Sequence, residues 1–300
     1  MVKYVKINGK RYGYVVDFKD DNKIRNSFNK LTRKIYGFDF EKWYQNGYWN
    51  DRYIPYALLD DERVIANASV NIIDFLLMGK KKRYIQIGTV MTDEEYRNKG
   101  LNRFIIEKIL DEWKEQCDLI YLFANDSVVD FYPKFGFVSI DEYQHSKKIL
   151  PQNKKTHAEK LNMSDKKDRD FLVDTIKNSM PVSKLNMVNN ESLIMFYCTS
   201  FMKDNIYYIE ELDTIVVAEF DGDTIYLNDV FSIREIPLNN IIKAMINKDI
   251  NKIVFGFTPK DTIIYDVDLL KEEDTTLFVM RDNIDIFRDR QLMFPLLSHA

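Results

Sequence analysis

Two cysteines and three histidines leave little room for chemistry that depends on clusters of them. Cys117 and Cys198 stand far apart with no C-x-x-C, and His145, His157 and His299 lack the spacing of zinc ligands, so no metal site is expected. Both thiols read as core residues, a usage that suits a reducing compartment. A basic excess is missing too: 43 Lys and Arg against 47 Asp and Glu give a net charge of −4. Nucleic-acid binders draw most of their affinity from neutralising phosphates, so no nucleic-acid partner is expected. The one short basic run, residues 80–83, reads as a solvated hairpin turn. No apolar run approaches membrane-spanning length, and residues 1–16 lack the continuous apolar stretch of a signal peptide. These absences imply a soluble, cytoplasmic protein with no membrane partner. Glycine is also scarce, at ten in 300 residues, and Gly100 is the only one between Gly88 and Gly136.

What is present suits a two-domain globular chain: 45% apolar and 30% charged residues over 300 positions. Residues 1–16 alternate apolar and polar around Asn8-Gly9, the pattern of a hairpin with a type I′ turn. Ile24, Phe28, Leu31 and Ile35 mark a helix over 20–36, and a short helix fits 40–45. Strands are expected at 53–59, 64–75 and 84–91. Beyond Gly100, Leu101, Ile105 and Ile109 with Ile106, Leu110 and Trp113 form the stripe of an amphipathic helix. Residues 119–124 are continuously apolar, as in a strand buried on both faces. A short helix and a strand at 137–140 follow. Residues 141–168 turn polar and lysine-rich around Pro151, which places the boundary between domains 1–150 and 155–300. Strand, helix and strand recur at 224–231, from Pro237, and at 253–257, which suggests a divergent duplication of 84–124; chance agreement is the alternative.

The segment that carries chemistry runs from Gly88 to Asn102. A strand passes through a loop with Arg97-x-x-Gly100 into a helix. Free amides and the dipole of a helix start attract anions, glycine permits close approach, and Arg97 and Lys99 add charge. Arg97-Asn98-Lys99-Gly100-Leu101-Asn102 resembles the pyrophosphate loop Q/R-x-x-G-x-G/A of the GNAT acetyltransferase superfamily, with Asn102 in place of a small residue. The family's next signature, an asparagine or serine after the following strand and then F-Y-x-K-x-G-F, is matched by Asn125 and by the run from Phe131 to Phe137. The resemblance covers roughly residues 20–150.

That resemblance implies an α/β (α+β) GNAT fold: a mixed, splayed sheet flanked by helices, here followed by a second GNAT-like α/β domain. It implies acetyl-CoA as cofactor, with the pantetheine arm lying where the sheet opens. Val90, Met91 and Thr92 would meet the arm and the thioester carbonyl, with a backbone N–H stabilising the developing oxyanion. Arg97, Asn98, Lys99, Gly100, Leu101, Asn102 and Arg103 would hold the pyrophosphate. Asn125 and Ser127 would touch the pantetheine or its thiol end. Tyr132 matches the family's general acid, a phenol whose ordinary pKa exceeds a thiol's; its alternative is plain packing like Phe131.

The base is not evident. Many family members carry a glutamate where this chain has Gln86; Asp74 and Glu41 are conceivable substitutes that also read as surface carboxylates. The apolar chain end suggests docking. The architecture loosely resembles the enhanced-intracellular-survival acetyltransferases, in which a terminal carboxylate is the base; that carries Ala300 forward as a candidate, against a plain final edge strand. The second domain has Ser232-Ile-Arg-Glu-Ile-Pro237 where the loop would be, so it should not bind coenzyme A; it is structural or walls the acceptor pocket. Tyr36, Phe38, Phe40, Trp43, Tyr44, Tyr48, Trp49, Tyr53 and Tyr56 crowd the region that borders the acceptor in the family, as an aromatic cleft or as packing. The expected function is acetyl transfer from acetyl-CoA to a primary amine, a small molecule, by direct attack. Two alternatives stay open: a non-catalytic acyl-CoA-binding regulatory module, and an aminoacyl transferase with tandem GNAT-like domains.

Overall fold

In the computed structural model, residues 2–152, 158–280 and 285–299 are described, the side chains at 285 and 286 excepted. β1 (Lys3–Ile7) and β2 (Lys10–Val16) form the expected hairpin. Asn8 and Gly9 take φ of 47° and 85°, as a type I′ turn requires. α1 (Asn22–Tyr36) starts where the Asp21 carboxylate accepts the Lys23 and Ile24 amides and stops at left-handed Gly37. α2 (Glu41–Gln45) follows. β3 (Tyr53–Asp60), β4 (Arg63–Leu77) and β5 (Lys80–Thr92) pair antiparallel. The basic run at 80–83 opens β5, and the turn is Met78-Gly79 just ahead of it. α3 (Leu101–Trp113) lays Ile105, Ile106 and Ile109, all 0% exposed, into the core on one face of the sheet. Each such side chain contributes about 1.5–3 kcal/mol. β6 (Leu119–Ala124) runs parallel to β5, and β7 (Phe137–Ser139) follows.

The remaining elements are β8 (Tyr143–Lys148), β9 (Ala158–Lys160), α4 (Lys166–Lys177), β10 (Leu185–Val188) and α5 (Glu191–Thr199). Then come β11 (Ile206–Ile209), β12 (Thr214–Asp221), β13 (Thr224–Ser232), α6 (Leu238–Met245), β14 (Lys252–Phe255), β15 (Asp266–Leu269) and β16 (Thr276–Met280). The strands make two sheets. The first runs β1-β2-β3-β4-β5-β6-β16-β7, with β10 added to the end of β4; the second runs β15-β8-β14-β13-β12-β11-β9.

Two strands cross the boundary expected near residue 150. β8, which precedes it, sits in the second sheet between β15 and β14, and β16 sits in the first between β6 and β7. The polar stretch read as a connection thus holds β8 and β9. Lys147 and Lys148 at its end mask the strand character of β8, in which His145 alone is buried. The strand-helix-strand order recurs in space, since β5 and β6 are parallel across α3 and β13 and β14 are parallel across α6. The chain end docks, with Leu292, Met293, Phe294 and Leu297 buried. It finishes in a single 3-10 turn at Leu296–Ser298 rather than the edge strand that was the plainer expectation. Phe294 stacks on Tyr121 with ring centroids 3.9 Å apart, which draws the segment across β6 instead of along a sheet edge.

Candidate active site

β5 and β6 pair only from Tyr84 opposite Leu119 to Gln86 opposite Tyr121. Beyond that point the strands part. β5 is bulged there: Ser69 faces Gly88 and Asn67 faces Met91, so Ala68 alone opposes Thr89 and Val90. Thr89 has φ 49°, an outlier for a β-branched residue, which persists only where its surroundings over-determine it. They do. The Asn67 amide donates to the Thr89 carbonyl at 2.9 Å, and the Tyr53 hydroxyl lies 2.9 Å from Thr89 Oγ1. Ser69 joins the network by donating to the Tyr53 oxygen and accepting from Asn67. The Tyr36 hydroxyl donates to the Val90 carbonyl at 2.8 Å.

The opened edge faces a cavity of about 1100 Å³. Val90, Met91, Thr92, Arg97, Asn98, Gly100, Leu101, Asn102, Arg103, Asn125, Ser127 and Tyr132 all line it. Of the cofactor residues named from the sequence, Lys99 is the exception: its ammonium bonds the Glu95 carbonyl and lies 4.7 Å over the Tyr96 ring, away from the wall. Of the early aromatics, Tyr36, Phe38, Phe40, Trp43 and Tyr53 line the cavity, and Tyr44, Tyr48, Trp49 and Tyr56 do not.

The start of α3 differs from that of α1 in a way that matters chemically. Asp21 satisfies the first amides of α1, whereas Gly100 caps α3 without a side chain. The first bond at that end is Phe104 N to Gly100 O at 3.1 Å, so the amides of Leu101, Asn102 and Arg103 precede the ladder. Asn98 and Gly100 take φ of 60° and 75°, which turns the loop into the helix. Arg97 and Arg103 are exposed and make no ion pair among the described residues. Two asparagines hold this segment. Asn8, from the hairpin turn, donates to the Lys99 carbonyl at 3.0 Å, and Asn102 donates to the Met91 carbonyl at 3.3 Å. The departure from the family's small residue thus ties α3 to β5.

Tyr132 is 4% exposed, packed against Phe137 and Phe278, and its hydroxyl makes no hydrogen bond among the described residues. Burial pushes its pKa well above the ordinary 10. The phenol is therefore fully protonated near neutrality, but it is also a weaker acid than a thiol, so full transfer to a free thiolate runs uphill. Its chemical competence is hydrogen-bond donation to a sulfur on which charge is building. Asn125 spends its side-chain amide on Asp274, donating to the carboxylate at 2.8 Å and to the carbonyl at 3.3 Å. The Asp126 amide also donates to Asp274, at 2.7 Å.

Neither conceivable base from the sequence is placed for the work. Burial alone would raise Asp74, but hydrogen bonds from Arg83 and Arg52, each at 2.9 Å, hold it below the usual range. Glu41 is held low chiefly by Arg25 at 3.0 Å. Neither lines the cavity; among its described lining residues Asp274 is the one carboxylate. Gln86 is buried at the point where the strands part. Ala300 and His157 lie outside the described residues, but the tail reaches His299, which stacks on the cavity residue Phe123 with centroids 3.8 Å apart. Sequence reasoning missed Asn8, Asn71, Thr89 and Asp274, and missed Leu193, Phe196, Tyr197 and Phe201 from the second half. The unbroken apolar run from Leu193 to Cys198 was the only available hint.

An opened strand edge and an uncapped helix start thus border one cavity. Residues 22–137 match the model of the acetyltransferase (GNAT) family. Solved structures agree in fold. A conserved protein of unknown function from Enterococcus faecalis, titled a probable N-acyltransferase, has 16% identity and a TM-score of 0.57 over 93% of this chain and 71% of its own. A GCN5-related N-acetyltransferase from Kribbella flavida gives 13%, 0.56, 89% and 71% in the same order. Eis1 from Mycobacterium abscessus gives 12%, 0.52, 88% and 72%. At these identities the likeness is one of fold. No curated protein matches the sequence. Among the described residues no helix is long and apolar enough to cross a membrane, and no group of three or more His, Cys, Asp or Glu could hold a metal ion.

Proposed function

We propose that the protein transfers an acetyl group from acetyl-CoA to the primary amine of a small molecule by direct attack, in the cytoplasm. The observation that carries this reading is the joint geometry of one cavity: β5–β6 pairing stops at Gln86 and Tyr121, and the freed edge of β5, the uncapped start of α3 and Tyr132 all line the same space. These groups fit the cofactor. The first amides of α3 with unpaired Arg97 and Arg103 suit a pyrophosphate. The bulged edge at Thr89 and Val90 offers backbone polar groups to an extended pantetheine arm and to the thioester oxygen. Acetyl-CoA supplies an activated acyl group on a thiol leaving group. Tyr132, kept protonated by its burial, donates a hydrogen bond to the departing sulfur. Asn125 and Ser127 line the thiol end, with Asp274 fixing the Asn125 amide.

The test is thiol release from acetyl-CoA with a panel of amines, with mass spectrometry of the products. Acetylated amine formed in step with free thiol supports the reading. Tight coenzyme A binding with no amine acetylated across the panel or in a cell extract would leave a non-catalytic acyl-CoA-binding module.

A further inference from the structure

Resting on that acyl-transfer reading, we infer that the acceptor is an arylalkylamine, a primary amine on a flat apolar body, lying along the seam where two aromatic walls, one from each half of the chain, meet. One wall is Phe38, Phe40 and Trp43, at the start of α2 and just before it. The other is Phe196 and Tyr197 of α5 with Phe201 just beyond it. The walls meet: Phe40 stacks on Phe196 with centroids 5.2 Å apart, and Phe38 meets Phe201 edge-on at 5.3 Å. Trp43 Nε1 donates to the Ser192 carbonyl at 2.9 Å, and Ser192 Oγ donates to the Tyr48 carbonyl at 2.7 Å, which locks α5 against α2.

Core packing accounts for Phe40, Trp43 and Phe196, which are buried. It accounts for less of Phe201, which meets Phe38, Phe196 and Tyr197 yet stays 57% exposed on the cavity wall. It does not account for Asn71, a wall residue only 4% exposed whose Nδ2 has no partner among the described residues. A buried donor left unpaired is costly, and native proteins satisfy nearly all of them. The neighbouring Tyr53 hydroxyl is already engaged by Ser69 and Thr89. Asn71 is therefore the group that meets a lone pair on the substrate body, such as a ring hydroxyl or ring nitrogen. The aromatic faces attract a ring by stacking and an ammonium by cation–π contact. A polyhydroxylated polycation would leave its polar groups unmatched against them. In the reaction the amine nitrogen bonds to the acetyl carbon as the C–S bond breaks. Of the two protons an ammonium loses, one ends on the coenzyme A sulfur and one goes to solvent.

The experiment uses the full chain with acetyl-CoA and compares phenethylamine, tyramine and tryptamine with spermidine and kanamycin. Thiol release gives kcat/KM, and quenching of tryptophan fluorescence, to which Trp43 in the wall contributes, reports amine binding without turnover. The aryl amines are expected to exceed spermidine and kanamycin at least tenfold in kcat/KM. Phe201→Ser, at a position 57% exposed, is expected to raise KM for aryl amines about tenfold while kcat and KM for acetyl-CoA stay put, with the thermal midpoint measured alongside to separate lost packing from lost binding. Asn71→Leu is expected to erase the preference of tyramine over phenethylamine. Saturable binding of aryl amines with no thiol release upholds the pocket and sinks the acyl-transfer reading instead. Spermidine or kanamycin outperforming every aryl amine, or no aryl amine binding at all, overturns the pocket assignment and leaves acyl transfer standing.

Discussion

The Asn8 side-chain amide donates to the Lys99 carbonyl at 3.0 Å, so the tip of the N-terminal hairpin is pinned to the loop that leads into α3. The two residues are 91 positions apart, and the contact is exposed. It orients the loop without touching the reaction. Asn8→Gly keeps the left-handed turn and deletes the amide. One exposed hydrogen bond contributes about 0.5–1.5 kcal/mol, so KM for acetyl-CoA should rise roughly two- to tenfold. kcat and thermal midpoint should hold. An unchanged KM would mean the loop is positioned without the hairpin.

Asn102 occupies the place of the family's small residue and bonds the Met91 carbonyl at 3.3 Å. Asn102→Ala should loosen the tie between α3 and the bulged strand, weakening coenzyme A binding about threefold to tenfold. Calorimetric titration with coenzyme A measures it directly. Tighter binding in the variant would show that the side chain obstructs the phosphates rather than framing their site.

Gly100 takes φ of 75°, and a Cβ there would meet only Asn8 Nδ2, at 3.5 Å, an ordinary contact. The penalty of Gly100→Ala is therefore backbone strain, about 1–2 kcal/mol. It should appear as roughly tenfold weaker coenzyme A binding with little change in KM for the amine. Arg97→Ala should weaken binding similarly and flatten its dependence on salt, since it removes a charge from the proposed phosphate site.

The legible parts of this chain were those whose signal is local. The Asn8-Gly9 turn, the amphipathic stripe of α3 and the apolar run of β6 each declare themselves within a dozen residues. The residues around Gly100 and Tyr132 were legible because their order along the chain resembles a known pattern. Strand exchange was not. Nothing in Thr276–Met280 specifies that it pairs with β6 and β7 rather than with strands nearer in sequence. Asn71 looks like any polar residue on a strand, and Phe201 like any loop aromatic. Asn71 is placed by the pairing of β4 opposite Tyr53, and Phe201 by how α5 packs on α2, long-range contacts that no periodicity encodes.

The Tyr132 hydroxyl sits in a buried environment without a hydrogen-bond partner among the described residues, so activity and stability should separate there. Tyr132→Phe removes the proposed donor to the leaving sulfur and should lower kcat about a hundredfold while KM for acetyl-CoA is preserved. Because no protein hydrogen bond is lost, the variant should melt no earlier than the parent. Kinetics and thermal denaturation on the same preparation check both. A parental kcat would remove Tyr132 from the mechanism.

Glu142 sets the sign of the pH dependence of stability. It is 7% exposed, and its Oε1 accepts the Phe294 amide at 2.7 Å, which helps fasten the C-terminal segment. Burial raises its pKa from 4.5 to about 8, and the charge of Glu272 adds to the shift. Below about pH 4.5 both folded and unfolded chains hold the proton, and the contribution is fully present. As pH rises toward 8 the unfolded chain has released the proton and the folded chain has not, so stability falls; above about 8 the curve flattens. Asp229, pushed to about 7 by burial, adds a loss of the same sign. Glu142→Gln keeps a neutral acceptor for Phe294 and should remove the larger part of that decline. The variant should match the parent near pH 5 and melt several degrees higher near pH 8. Thermal denaturation from pH 5 to 9 measures the difference, and parallel curves for the two proteins would show that Glu142 is ionised in the fold after all.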